Sequence, residues 1–243
     1  MTSTQQNQSQ PKIILVPGYW LGAWAWEEVL EPLTTAGDHA VALTLPGLDE
    51  HDPGRTATTL EDQAAAIQSA VAGNDVVLVA HSGANGPVSL ALDRDPQLVS
   101  RVVWVDSGPV ANGSAFAPDL PQSVIELPLP SFDALGQQAS LEGLSREQLD
   151  RFRARAVPEP ASVARESVHL TNDERRGVPT TLICCSISSE QVFEMARSGH
   201  PMFSEVARLA NVDAVDLPTG HWPMWSRPME LAESIHTAAH RIN

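Results

Sequence analysis

The chain has 243 residues, 42% of them hydrophobic, enough to close one large domain around a single well-covered core. Asp+Glu number 30 against 15 Lys+Arg, and the formal net charge of -15 repels nucleic acid and anionic membrane surfaces, so neither is an expected partner. Lys12 is the sole lysine and the arginines are scattered, so no basic groove can be drawn.

In chain order, MTSTQQNQSQ has neither a cationic start nor an apolar stretch, and residues 1–11 read as a flexible leader. About 18 apolar residues never run together, so no membrane insertion is expected. From Lys12 onward short apolar runs alternate with longer helix-like stretches. KIILV (12–16), HAVAL (39–43), DVVLVA (75–80), RVVWV (101–105), TTLICC (180–185) and VDAVDL (212–217) are apolar on both faces or nearly so, as strands covered by helices on both sides require. Crossover helices are predicted over about 22–36, 59–72, 85–94, 190–209 and 227–241, the second capped by Thr58 or Thr59. The pattern predicts an α/β fold, a doubly wound, mainly parallel sheet of about six strands. The adjacent Cys184 and Cys185 are poorly placed for a disulfide and fit a reducing, cytoplasmic setting.

Residues 107–177 break the alternation. They hold many prolines and no comparable buried strand, and are too long for a simple loop, so a helical lid inserted between two core strands is expected, its clearest helix at 145–156. The core is then 12–106 with 178–243.

Ala80-His81-Ser82-Gly83-Ala84 ends the greasiest strand on a serine between small residues. Small neighbours let a strand turn sharply into a helix while the central hydroxyl stands exposed at the carboxyl end of the sheet. The segment resembles the nucleophile elbow of the α/β-hydrolase family, Gly-x-Ser-x-Gly, with alanine at both glycine positions. The glycines at 83 and 86 fit neither a dinucleotide nor a P-loop spacing.

The resemblance implies a lidded serine esterase-like enzyme that needs no cofactor, and a chain order of serine, acid, histidine. His221 stands after the last strand in LPTGHWPMW, similar to the family's closing Gly-His loop. In most relatives the acid follows the strand before the last, where this chain has Ser188 and Ser189. Asp106, which ends the 101–105 strand, is the acid chosen, as in some lidded members, with Glu190 as alternative; Asp213 and Asp216 are weaker candidates. By the same resemblance VPGYW supplies the oxyanion-hole amide of Tyr19, with Pro17 where the family has histidine, and Gly83 supplies the other. Trp20 and Trp222 are candidate pocket-lining residues, Trp225 borders the same loop, and Trp24 and Trp26 are read as core. His81 is read as support for the turn and His200 as structural.

Ser82, His221 and Asp106 in those roles would cleave an ester-like bond of a small substrate through an acyl-enzyme. Phe116, Leu120, Leu127, Leu129 and Phe132 in the lid point to an apolar or mixed substrate, unless they only pack on the core. A lyase or a carbon–carbon bond hydrolase on the same scaffold and a non-catalytic small-ligand receptor are the competing readings. No metal is expected, since no paired His or Cys ligand spacing is apparent. The oligomeric state is left open.

Overall fold

The computed structural model describes residues 10–73 and 75–241, so the leader expected over 1–11 lies almost wholly outside the described residues. Eight strands are formed among the described residues: β1 (Lys12–Val16), β2 (His39–Ala42), β3 (Val76–His81), β4 (Val99–Val105), β5 (Glu126–Leu127), β6 (Glu159–Pro160), β7 (Thr180–Cys184) and β8 (Val212–Asp216). Six make one sheet in the order β2-β1-β3-β4-β7-β8, every neighbouring pair parallel. β5 and β6 pair antiparallel with each other outside it.

Side chains alternate across the pleat, and the alternation divides the core into two layers. Ile13 and Leu15 of β1, Val77 and Val79 of β3, and Val103 and Val105 of β4 pack with α1 (Glu27–Thr35) on one face. Their partners Ile14, Leu78 and Val102 pack on the other face against α2 (Leu60–Val71) and α3 (Asn85–Arg94). The stretch between β4 and β7 carries α4 (Phe132–Leu135), α5 (Arg146–Arg155) and α6 (Ala161–Arg165). Phe152 of α5 is fully buried in the first layer, which ties this stretch to the core. Then come α7 (Ser189–Arg197), whose Val192 joins the second layer, α8 (Pro223–Ser226) and α9 (Pro228–Ala239), whose Leu231 and Ile235 join the first.

The capping chemistry is local and legible. Thr59 accepts the amide of Asp62, whose carboxylate in turn accepts the Thr59 amide, and Ser145 with Gln148 and Ser188 with Gln191 form the same reciprocal box. Two expectations change. The helix drawn over 190–209 stops at Arg197: Gly199, at φ 76°, and His200 donate back to Ala196 and Met195, the αL closure that ends helices, and short 3-10 turns follow. The edge strands β2 and β8 are also only partly covered, with Val41 and Val215 exposed, because an edge strand has one neighbour instead of two. No helix among the described residues is long and apolar enough to cross a membrane.

Candidate active site

Parallel strands deliver all their carboxyl ends to one edge. The chain leaving β1 goes outward to β2 and then returns past β1 to β3, so the loops after β1 and β3 diverge at a switch point where open α/β sheets form a crevice. Tyr19 and Trp20 lie on the first loop and Ser82 on the second; Asp106 follows β4, Ser186 follows β7 and His221 follows β8. The shared edge therefore brings together residues as far apart in sequence as Ser82 and His221, 139 positions.

Ser82 leads a single 3-10 turn, Ser82–Ala84, that runs directly into α3. Four non-glycine residues among those described have positive φ, and three are at this edge: Trp20 (67°), Ser82 (51°) and Asp106 (43°), the fourth being Asp75. Each such conformation costs of order 1–3 kcal/mol and persists only where packing over-determines it. Here the packing is visible in two glycines. A Cβ on Gly18 would meet the Ser82 Cβ at 2.8 Å, and one on Gly83 would meet the Tyr19 ring at 2.7 Å, so neither tolerates a side chain. Ala80 and Ala84, buried in place of the family's flanking glycines, are small enough for the turn to close. Ser107 Oγ donates to the Ser82 carbonyl at 3.0 Å and braces it from the β4 side.

His221 joins the other two groups. Its Nδ1 is 2.6 Å from Asp106 Oδ2 and its Nε2 is 2.7 Å from Ser82 Oγ. These partners assign the tautomer: Nδ1–H donates to the carboxylate, and Nε2 accepts from the hydroxyl. Asp106 also accepts the Cys185 amide at 3.0 Å, the Ser186 amide at 2.8 Å and the Ser186 hydroxyl at 2.7 Å. Burial works to raise its pKa, but the hydrogen bonds from His221 and Ser186 and the charge interaction with His221 outweigh it and hold the group below the usual carboxylate range. The alternative acid, Glu190, is exposed in the first turn of α7, at the positive end of that helix. Asp213 is engaged by Arg101 and Arg241, and Asp216 accepts from Ser189, so neither carboxylate is the partner of His221.

Several supporting groups have no motif to announce them. Ser186 stands just beyond β7, the strand after which the family usually carries its acid, and supplies donors to Asp106. The 140–142 segment grips the histidine loop: the His221 amide donates to the Ser140 carbonyl at 2.8 Å, and a Cβ on Gly220 would meet the Glu142 carbonyl oxygen at 2.5 Å. His81 turns away from Ser82, as expected, and its Nε2 lies 2.7 Å from the His221 carbonyl, to which it donates. Its pKa is pushed down to about 3, chiefly by burial and next by His221, so this ring is a neutral brace. The Trp20 loop is held from β5 and from the segment leading into β6. Its carbonyl accepts from the Val157 amide at 3.0 Å and its indole donates to the Leu127 carbonyl at 3.0 Å. Glu159 of β6, fully buried, accepts from Gln63 at 3.0 Å; burial pushes it up to about 8 against the pull of bonds from Gln63 and the Trp20 amide.

The groups open into a cleft of about 750 Å³. Tyr19, Trp20, Phe116, Met202, Phe203 and Trp222 line it, so Trp20 and Trp222 do border the cavity, while Trp225 instead stacks on Trp24 and donates to the Ala25 carbonyl. Trp26 is core. Of the five apolar residues marked between 107 and 177, only Phe116 is on the cleft wall; Leu129 and Phe132 pack on the core, and Leu135 and Leu141 contribute to the wall instead. The lining holds no lysine or arginine, and Lys12 is at the opposite edge of the sheet with its ammonium on the Ala70 carbonyl. Cys184 reaches the wall, but burial, then the charges of Asp216 and Asp106, push its thiol up to about 12. His200 caps a 3-10 turn by accepting the Met202 amide.

The family model described as "Alpha/beta hydrolase family" matches residues 13–234, and the chain belongs to that family. Among individual proteins it is similar to Esterase PIR7B of Oryza sativa subsp. japonica, 36% identical over 106 residues, which are 41% of this chain and 39% of that protein. Methyl jasmonate esterase 1 of Vitis vinifera is 36% identical over 126 residues, 45% of each chain. The matches thus span less than half the length of these curated relatives. Among solved structures, an extracellular alpha/beta-hydrolase from a Paenibacillus species, described as sharing structural and functional homology with Tobacco Salicylic Acid Binding Protein 2, superposes with a TM-score of 0.76 at 18% identity, over 95% of this chain and 100% of that one. A methylesterase from Arabidopsis gives 0.72 at 17% identity, over 94% and 98%. At such identities these structures speak for the fold alone.

Proposed function

We propose that the protein is a cofactor-independent carboxylic ester hydrolase that works through Ser82, His221 and Asp106 and an acyl-enzyme. The observation that carries the reading is the unbroken relay of short contacts, 2.7 Å from Ser82 to His221 and 2.6 Å from His221 to Asp106, on a serine whose backbone is strained at the mouth of a cleft. His221 takes the hydroxyl proton as Ser82 attacks the ester carbonyl, Asp106 stabilises the imidazolium, and the collapsing intermediate expels an alcohol that leaves with that proton. Water then enters by the same route and releases the acid. The amides of Tyr19 and Gly83, on two loops locked against each other, are assigned to the developing oxyanion.

The substrate is a small neutral ester with an apolar or mixed acyl portion, a reading supported by the aromatic wall and the absence of a cationic side chain to hold a free carboxylate. The same absence counts against a lyase that works through a pocket lysine. A panel of p-nitrophenyl and methyl esters of increasing acyl size, assayed with wild type and Ser82→Ala, tests the proposal. Turnover lost by about 10⁶-fold in the variant supports it. Ligand-induced thermal stabilisation without turnover in wild type would replace it by a receptor.

A further inference from the structure

At the opposite edge of the sheet a second cluster takes no part in this chemistry. The α1–β2 corner closes with the Gly37 amide on the Thr34 carbonyl and the Asp38 amide on the Leu33 carbonyl, Gly37 at φ 92° supplying the left-handed turn that a helix end of this kind requires. The turn fixes Asp38 with its side chain 2% exposed, facing α9. There His236 Nδ1 is 2.8 Å from Asp38 Oδ2 and His240 Nε2 is 2.7 Å from Asp38 Oδ1. The two rings are one helical turn apart, half-exposed, with centroids 4.5 Å apart. Four-residue spacing on a helix is a ligand spacing, and His236 and His240 carry it in the sequence itself, contrary to the expectation of none; only the third donor, Asp38, 198 residues from His236, has no local pattern.

We propose that Asp38, His236 and His240 form a binding site for a divalent, imidazole-seeking metal ion such as Zn²⁺, which clips the α1–β2 corner to the C-terminal end of α9. One donor atom from each residue lies within 4.8 Å of the others. Zinc holds nitrogen and oxygen ligands at about 2.0–2.2 Å, so ligand atoms around it sit about 3.4 Å apart: the short nitrogen–oxygen contacts open by about 0.6–0.7 Å, and a donor pair at the 4.8 Å limit closes by about 1.4 Å. Half-exposed rings on a helix end have that freedom. Each ring now turns one nitrogen to Asp38; in the metal site that nitrogen gives its lone pair to the ion, the outer, solvent-facing nitrogen carries the N–H, and one dication replaces two bridging hydrogens beside a carboxylate. The site is also favoured by the negative end of the α9 dipole and by the chain's net charge of -15. Two imidazoles and one carboxylate, with room for water on the exposed side, select zinc, nickel or copper over magnesium or calcium.

The test uses the untagged full chain after chelator treatment, with Zn²⁺ alone as the probe, read by calorimetry and thermal melting. One equivalent of Zn²⁺ should bind and raise Tm by roughly 5–10 °C at a hundredfold excess over Kd. Asp38→Asn, His236→Gln and His240→Gln, which keep hydrogen-bonding side chains, should each weaken binding by at least about 10–100-fold. His221→Ala, which empties the cleft of its imidazole, should leave Zn²⁺ affinity unchanged. Wild type that neither binds nor is stabilised, or binding that survives His240→Gln and disappears in His221→Ala, overturns the proposal.

Discussion

Two His–Asp clusters sit at opposite ends of the same sheet, and their contacts are nearly the same length: 2.6 Å between His221 and Asp106, 2.8 and 2.7 Å from His236 and His240 to Asp38. Both carboxylates are almost sealed from solvent. What separates them is the use made of the outer nitrogen of each imidazole. At the carboxyl edge His221 turns that nitrogen to a hydroxyl on a strained turn inside a cleft, and three further donors hold its carboxylate. At the amino edge one carboxylate serves two rings that face water. A short His–Asp contact is therefore not a catalytic signature by itself; the parallel topology, which gathers Ser82 and the cleft at one edge only, decides the chemistry.

The largest expected effect breaks the comparison directly. Asp106→Asn should lower kcat by about 10⁴-fold, because an amide no longer holds His221 in the tautomer that accepts the serine proton. Asp38→Asn should leave kcat unaltered while lowering unfolding stability by about 1–3 kcal/mol, measured by denaturant titration. Comparable kinetic losses in the two variants would erase the distinction between the clusters.

A third buried carboxyl, Glu159, sharpens it, since no histidine stands beside it to offset its burial. Its folded value of about 8 lies above the ordinary 4.5, so between those values the native state keeps a proton that the unfolded chain has released. Stability must then fall as pH rises through that window, by a few kcal/mol in all. Glu159→Gln should flatten this part of the profile, so the variant gains on wild type steadily from pH 5 to about 8. A constant difference across that range would show that Glu159 is ionised in the native state.

Smaller effects grade the support around Asp106. Ser186→Ala removes one hydrogen bond to a buried carboxylate and should lower kcat by about tenfold with KM little changed. Glu190→Gln, at an exposed helix start, should change neither parameter.

Much of this arrangement was legible in the amino-acid sequence. The runs from Val76 to Ala80 and Val102 to Val105 are apolar on both faces because both faces are covered, and such runs announce a parallel sheet. Ser82 and His221 follow from the elbow and from a Gly-His loop after the last strand, and Asp106 from its place at a strand end. The end of α7 was legible too, in Gly199 and Pro201, but hydrophobic spacing past Arg197 masks it. Ser186, Glu159, the 140–142 segment and Asp38 are different in kind. Each acts through contacts with partners more than 75 residues away, and no spacing rule encodes that. What holds the loop after β1 was equally hidden: with proline at position 17, it is pinned through Trp20 by the Val157 amide, the Leu127 carbonyl and the Glu159 carboxylate, none of which has a local sequence pattern.

The central claim, that this edge of the sheet activates Ser82, is tested most directly by a fluorophosphonate probe with peptide mapping by mass spectrometry. One adduct per chain, on Ser82, formed at a rate that collapses in His221→Ala and Asp106→Asn and is untouched in Asp38→Asn, is the predicted result. No adduct, or one on Ser107 or Ser186 with Ser82 unmodified, would contradict it.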